Sequence, residues 1–378
     1  MLGSEIGRGH PFYMDGLRQA LRSAGRADLI ARDTDVFREA RGISQLAWAG
    51  VRHSYRWAGH GGVVSHLYHR ARRGTNYDED SAALRILGRD LRRWAGSHGV
   101  VVVDHPAVAG ALGDRADTWY LHGEMVAPPE SVVRRAARIF VPLEETAAAF
   151  VRGGVPRERL VVTGVCVESG LIAEVERTAQ DRRRRLAGKE ALTVAFFSSG
   201  AEPPGHVALL AAAAGALAGS GRHRVLAFTA RGGRLARTLA ATVPHGAETL
   251  TYTDRASMDA LTAEHFPRFD AVVSPPHERS NWAVALGVPF FLVGPDIGPF
   301  APLNRRLLLD RGVAAAIESP AAANAFPDLI DRLRERGELQ RMVESGRDVS
   351  SRGFEHAAEF VISEAERTGH ADGNAAHA

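Results

Sequence analysis

Three stretches of this chain bring together side chains able to move protons or hold anions. The first is Gly3-Ser4-Glu5-Ile6-Gly7-Arg8-Gly9-His10, whose glycines let the backbone turn sharply toward a ligand and whose His10 offers an imidazole. An imidazole titrates near pH 6.5, so it is largely neutral at pH 7 and able to take a proton. The plainer use of His10 is to hydrogen-bond the loop. The second is Asp104, which follows the β-branched run Val100–Val103 and precedes His105-Pro106. A charged residue at the carboxyl end of a parallel strand faces the ligand crevice, on the same edge as the His10 loop. Its competing role is to cap a helix over residues 107–112. The third stretch runs from Phe269 to Ile317. There Pro275-Pro276 break the apolar run Ala271–Ser274, and the polar loop His277-Glu278-Arg279-Ser280-Asn281 enters a helix, an arrangement that favours anions and phosphate in particular.

These residues require strands that end beneath them. Apolar runs predict strands at 100–103, 118–121, 138–141, 160–163, 192–197, 225–228, 250–252, 271–274 and 289–293. Helical patterns lie between them: one over 11–23 behind the first loop, a long Ala-rich one over 204–218, and a short one that starts near Asn281 and stops at Gly287. Ser199 and Gly200, small residues between a strand and a helix, suit a diphosphate, and Arg231 follows the next strand where it can balance charge on a leaving diphosphate. A first strand would normally bring about five apolar residues before its loop, whereas only Met1-Leu2 stand there. The expectation is that the start given is late, which intact-mass measurement of the native protein checks.

The chain has 378 residues, room for two domains of roughly 150 to 190 residues each. With 45% apolar and 24% charged residues it has the composition of an ordinary globular protein. Its formal charge of +3 is small, and its high pI reflects arginine in place of lysine, so no nucleic-acid partner is expected. Cys166 is the lone cysteine, which excludes an internal disulfide and a multi-cysteine metal site. No apolar run reaches the roughly 18 residues a membrane span needs, and the expected location is the cytoplasm.

Between Ala40 and Asp78 there is no acidic residue, while Arg41, Arg52, Arg56, Arg70, Arg72 and Arg73 alternate with Trp48, Tyr55, Trp57, Leu67 and Tyr68. Segment 41–73 is either a basic, aromatic surface for an anionic acceptor or anionic lipid, giving peripheral contact with the inner face of a membrane, or an arginine-rich helical pair packed on a sheet. Asp33-Thr34-Asp35 and Asp78-Glu79-Asp80 each spell Asp-x-Asp but read as caps or turns, with Asp80 or Ser81 as the cap of the second. Neither they nor His66 and His69 are expected to bind metal. Arg182–Arg185 read as a solvated helical face.

The sequence from Ala271 onward (strand, polar loop, helix ending Gly287-Val288-Pro289, strand ending at Pro295, then Asn304 and Gly312) resembles the donor-binding segment of GT-B glycosyltransferases. Those nearest in pattern use UDP-sugars: the lipid II N-acetylglucosaminyltransferase, monogalactosyldiacylglycerol synthase and the plant and antibiotic glycosyltransferases. Two departures stand out. Trp282 occupies the place of a Glu that in many relatives grips the donor ribose, and Phe300-Ala301 that of an Asp-Gln pair. The closing Thr163-Gly164 of the amino-terminal half fits the same group, and His122 and Glu124 match a polar acceptor-side loop.

The resemblance implies an α/β fold of two doubly wound, Rossmann-like parallel-sheet domains facing a central cleft. It places an acceptor domain at 1–166, a linker at 167–190, a nucleotide-sugar domain at 191–350, a helix crossing back at 351–368 and a disordered tail at 369–378. It also implies an inverting, metal-independent transferase without a cofactor. His10 would deprotonate the acceptor hydroxyl, Asp104 would orient His10, and Gly9, His122 and Glu124 would meet a small-molecule or lipid-linked acceptor. The nucleotide-sugar donor would lie on Ser199, Gly200, Arg231, His277, Glu278, Ser280, Asn281 and Asn304. Two alternatives stay open: a nucleotide-sugar 2-epimerase-like enzyme using Glu278 and Glu124 as acid and base, and an inactive nucleotide-sugar-binding or scaffold protein.

Overall fold

A computed structural model describes the chain except residues 7–8, 73, 115–116, 174, 244 and 376–378; for residues 9, 10, 56, 63, 64, 66, 71, 278 and 370–375 it describes the backbone alone. The chain forms two compact units, one of residues 1–56, 70–166 and 350–378, the other of 57–69 and 167–349.

The first unit is built on a parallel sheet of β1 (Leu2–Gly3), β2 (Thr34–Asp35), β3 (Val100–Val103), β4 (Asp117–Leu121), β5 (Arg138–Val141) and β6 (Leu160–Val162), in the order β2-β1-β3-β4-β5-β6. Successive side chains of a strand point to opposite faces, so an unbroken apolar run needs cover on both sides. Val101 and Val103 pack with Leu91 of the helix Ala82–Ala95 and Val108 of the helix Pro106–Leu112. Val102, Trp119, Leu121 and Phe140 pack on the other face with Leu17 of the helix Gly9–Ser23 and with Phe354 and Ala357 of the last helix, Gly353–Ala375. These two helices meet at Gly16, where a Cβ would lie 2.3 Å from the Phe354 ring.

The second unit has β7 (Thr193–Phe197), β8 (Arg224–Ala230), β9 (Ala247–Tyr252), β10 (Ala271–Ser274), β11 (Phe290–Val293) and β12 (Ala314–Ile317), all parallel, in the order β12-β11-β10-β7-β8-β9. Phe196, Ala227, Val273 and Phe291 face the helices Pro204–Ser220 and Phe326–Glu335. On the opposite face Phe197 stacks on Phe228 at 4.3 Å, and Phe269 and Trp282 meet Phe197 edge-on. Gly287 ends its helical segment at φ +58°, and a Cβ there would lie 2.7 Å from the Val343 carbonyl, so glycine is needed twice over.

Several expectations change. β2 and β12 add a strand to each sheet that the sequence pattern did not announce. The Asp-x-Asp stretches are caps, as expected: Asp35 caps the helix Val36–Glu39 by accepting from the Phe37 N–H, and Ser81 caps Ala82–Ala95. Arg182 is not solvated: it is fully buried, with Nε donating to the Phe269 carbonyl (2.7 Å) and Nη1 to those of Leu286 (3.2 Å) and Gly287 (2.9 Å). Three backbone acceptors compensate for the water it gives up. The last helix spans Gly353–Ala375. Among the described residues no helix is long and apolar enough to cross a membrane.

Candidate functional site

Ligands of open α/β sheets bind beyond the carboxyl ends of the strands, at the point where strand order reverses. Each unit has one such point: between β1 and β3 in the first, between β7 and β10 in the second.

At the first, Ser4 follows β1 and Asp104 follows β3. The Ser4 hydroxyl donates to Asp104 Oδ1 at 2.8 Å and the Ser4 N–H to Oδ2 at 3.2 Å. Asp104 is 2% exposed, and burial pushes its carboxyl up to about 8 against the opposing pull of the Ser4 hydrogen bonds. The capping role that competes for Asp104 is filled by its neighbour: His105 Nδ1 accepts the Ala107 N–H at 3.0 Å. Gly9 and His10 begin the helix Gly9–Ser23, and their side chains lie outside the described residues. His122 is buried, its Nδ1 3.0 Å from the Tyr120 hydroxyl and its Nε2 3.0 Å from the Val126 carbonyl. Nε2 must therefore donate and Nδ1 accept, which engages both ring nitrogens within the unit. Glu124 is half-buried in the same loop.

At the second switch point the side chains are of another kind. Ser198 follows β7, and Ser280 and Asn281 lie at the entry of the short helix after β10; all three are buried. Arg279 reaches across the point, its guanidinium 4.9 Å from the Phe197 ring centre and its Nη1 3.5 Å from the Ser198 carbonyl. Asn304 donates from Nδ2 to the Pro276 carbonyl at 3.2 Å, which ties the helix Ala301–Asp310 to the loop. His206, in the first turn of Pro204–Ser220, donates from Nε2 to the Pro295 carbonyl at 2.6 Å, with its ring centre 6.0 Å from that of His277. Burial, then His206 and Arg279, push His277 down to about 3, so this ring is neutral at pH 7. Among the described residues, Ser198 Oγ, Thr229 Oγ1, Ser280 Oγ, Asn304 Oδ1 and His206 Nδ1 are buried with no hydrogen-bond partner. Five such atoms at one sheet edge are what a polar ligand would satisfy.

Ser199 is half-buried and Gly200 exposed in the turn after β7, and Arg231 is exposed after β8. The helix beginning at Arg234 already has an anion at its amino terminus: the Glu202 carboxylate accepts the N–H groups of Arg234 and, at 3.4 Å, Leu235. Glu202 holds this position at φ +44°, an uncommon conformation for a residue with a side chain. The side chain of Glu278 lies outside the described residues. Of the residues singled out in the sequence, Asp104 stands at the first switch point and His277, Ser280, Asn281 and Asn304 at the second, beside Ser4, Ser198, His206, Thr229 and Arg279, which the sequence pattern did not single out. The one readable signal for His206 was a polar residue in an otherwise apolar, Ala-rich helix. Among the described residues no three His, Cys, Asp or Glu side chains are grouped to hold a metal ion.

Two six-stranded parallel sheets with helices on both faces define the GT-B fold. The chain is similar in structure to the calicheamicin glycosyltransferase CalG4, with a TM-score of 0.59, 16% identity and coverage of 97% of this chain and 98% of that one. MurG of Acinetobacter baumannii matches with a TM-score of 0.59 at 16% identity over 96% of this chain and 98% of that one. The UDP-GlcNAc 2-epimerase of Neisseria meningitidis, solved with UDP-GlcNAc bound, matches with a TM-score of 0.57 at 10% identity over 97% and 98% of the two chains. No protein-family model matches the sequence, and no curated protein matches it.

Proposed function

We propose that the protein is an inverting glycosyltransferase that moves a sugar from a nucleoside-diphosphate donor, a UDP-sugar by preference, to the hydroxyl of a small-molecule or lipid-linked acceptor. The observation that carries this reading is the contrast between the two switch points. The second unit offers buried hydroxyls, an amide, neutral imidazoles and one guanidinium, a set that holds an anion and hydroxyl-rich groups without itself titrating near neutrality. The donor lies there, on Ser198, His277, Arg279, Ser280, Asn281 and Asn304, with Ser199, Gly200, Glu278 and Arg231 at its rim. The first unit offers a buried carboxyl behind the loop that carries His10.

A carboxyl raised by burial gains most from a cation placed beside it. Asp104 therefore favours the imidazolium that His10 becomes on taking the acceptor proton, fixes the ring tautomer and lowers the barrier to proton removal. General-base catalysis of this kind contributes about 10²- to 10⁴-fold. The acceptor approaches through the loops of His10 and Glu124, with His122 bracing the latter. One of the structural neighbours is named as a glycosyltransferase, which supports the reading, and another, a UDP-GlcNAc 2-epimerase, was solved with UDP-GlcNAc bound.

The test is a transfer assay with UDP-, dTDP- and GDP-sugars beside calorimetry of nucleotide binding. His10→Ala should lose transfer by at least 10²-fold and keep nucleotide affinity within about twofold. Transfer at the wild-type rate removes His10 from the mechanism. Turnover of a UDP-sugar with no acceptor present replaces the transferase by an epimerase, and failure to bind any nucleotide replaces both by a scaffold.

A further inference from the structure

In the helix Pro204–Ser220, His206 is the one polar side chain before Ser220. Burying an imidazole among leucines and alanines costs free energy unless its ring nitrogens are paired. His206 is fully buried, and only one of its nitrogens is paired. Gly205 lets the start of the helix close on Pro295, where a Cβ would lie 2.8 Å from the proline ring. So seated, His206 donates from Nε2 to the Pro295 carbonyl at 2.6 Å, and that bond fixes the tautomer. Burial lowers the pKa of the ring, which is therefore neutral at pH 7. Its Nδ1 carries a lone pair and no proton, and can only accept.

Asn304 repeats the arrangement. Its Nδ2 is committed to the Pro276 carbonyl, and its buried Oδ1 accepts from nothing. Both acceptors stand under the loops that follow β10 and β11, beside His277, whose ring centre is 6.0 Å from that of His206. The charged pair near His206 is balanced, because Arg305 holds the Asp296 carboxylate from Nε at 2.9 and 3.0 Å. The ionised oxygens of a diphosphate are acceptors themselves and cannot satisfy Nδ1. A sugar hydroxyl can, by donating its proton.

We propose that His206 is a specificity-determining residue of the second unit's site, its Nδ1 accepting the proton of a sugar hydroxyl, whether of the transferred hexose or of the ribose. The inference rests on the nucleotide-sugar reading and deepens it: the anion lies toward Arg279, and a hydroxyl-bearing ring lies against His206.

Asparagine puts an oxygen near the place of Nδ1 and glutamine a nitrogen near that of Nε2, so two substitutions separate the duties of the ring. Calorimetry on the full chain compares UDP-glucose with UDP, and dTDP-glucose and GDP-mannose with their diphosphates. His206→Gln keeps the bond to Pro295 and loses the acceptor, and should weaken nucleotide-sugar binding about tenfold. His206→Asn keeps the acceptor and loses the bond to Pro295. It should melt at a lower temperature yet bind within about threefold of wild type. A loss in His206→Gln confined to the nucleotide-sugar assigns the hydroxyl to the hexose, and an equal loss for the bare diphosphate assigns it to the ribose.

Monodeoxy forms of the sugar so assigned give a second measurement. The form that lacks the hydroxyl should bind wild type about tenfold more weakly and make less than about a twofold difference in His206→Gln. Unchanged nucleotide-sugar affinity in His206→Gln, or equal losses in the two variants, overturns the inference and leaves the transferase reading standing. So does a wild type indifferent to every deoxy form, a result that needs no variant to fold. A wild type that binds none of the nucleotides or nucleotide-sugars overturns the reading itself and this inference with it.

Discussion

The two switch points share a topology and differ in electrostatic design. Between β1 and β3 the unit buries an ionisable carboxyl on two hydrogen bonds from Ser4. Between β7 and β10 it buries hydroxyls and an amide, leaves five polar atoms unsatisfied, and keeps His277 neutral. Moving a proton requires a group whose charge can change; holding an anion requires donors whose charge does not. In the proposed reading one architecture carries both, because side chains at strand ends are set by the sequence of each loop, not by the sheet.

The sharpest way to break this contrast is at Asp104. Asp104→Asn keeps the shape and loses the carboxyl that can ionise beside a protonated His10, so transfer should fall by about 10²- to 10⁴-fold while nucleotide affinity stays within about twofold. If nucleotide affinity falls instead, the division of labour between the sites is wrong.

A next test uses stability against pH, where the two sites should slope in opposite directions. Asp104 has its folded pKa raised from 3.8 to about 8, so the stability it contributes is whole below pH 4 and is lost as pH rises through 8. Asp104→Asn should remove that loss, leaving the variant a few kcal/mol more stable than wild type above pH 8, on the order expected for a shift of several units. His277 has its folded pKa lowered from 6.5 to about 3, so its contribution is whole above pH 6.5 and is lost as pH falls toward 3. His277→Asn should flatten the acid side only. Denaturant melts from pH 4 to 9 measure both, and parallel slopes for the two variants would erase the distinction.

The smallest effects are expected at the unsatisfied hydroxyls. A buried hydroxyl without a partner costs about 1–3 kcal/mol. Ser198→Ala and Ser280→Ala should therefore leave the ligand-free protein as stable as wild type or raise its Tm by a few degrees, yet weaken nucleotide-sugar binding about three- to tenfold. Thermal melts with and without ligand report both quantities. A variant that is destabilised while free and binds normally would mean that its hydroxyl serves the fold.

Much of the architecture was legible because parallel strands buried on both faces are written as continuous apolar runs. Val100–Val103 and Arg138–Val141 begin and end where their residues say. β12 escaped notice because Ala314–Ile317 is three alanines and an isoleucine, with little strand preference of its own; it exists by pairing with β11. Of the two serines that follow β7, the sequence pattern singled out Ser199, the half-buried one. Phe196 and Phe197 are both buried, on opposite faces, so apolarity alone does not tell which face the next side chain takes, and it is Ser198 rather than Ser199 that is buried. Arg182 was misread because a row of four arginines looks solvated, and only the fold brings three carbonyls to one of them. Asp104 was recognised by position alone, whereas its partner Ser4 and the cap at His105 belong to contacts that no local pattern contains.

The helix Gly353–Ala375 has a consequence for biosynthesis. It shares one side of the sheet that begins at Leu2 with the helix Gly9–Ser23, so the unit whose strands leave the ribosome first is completed after the other. Until the codons for Phe354, Ala357 and Ala358 are read, Trp119 and Phe140 lack part of their cover. A stop codon near position 350 would spare the later half and ruin the earlier one.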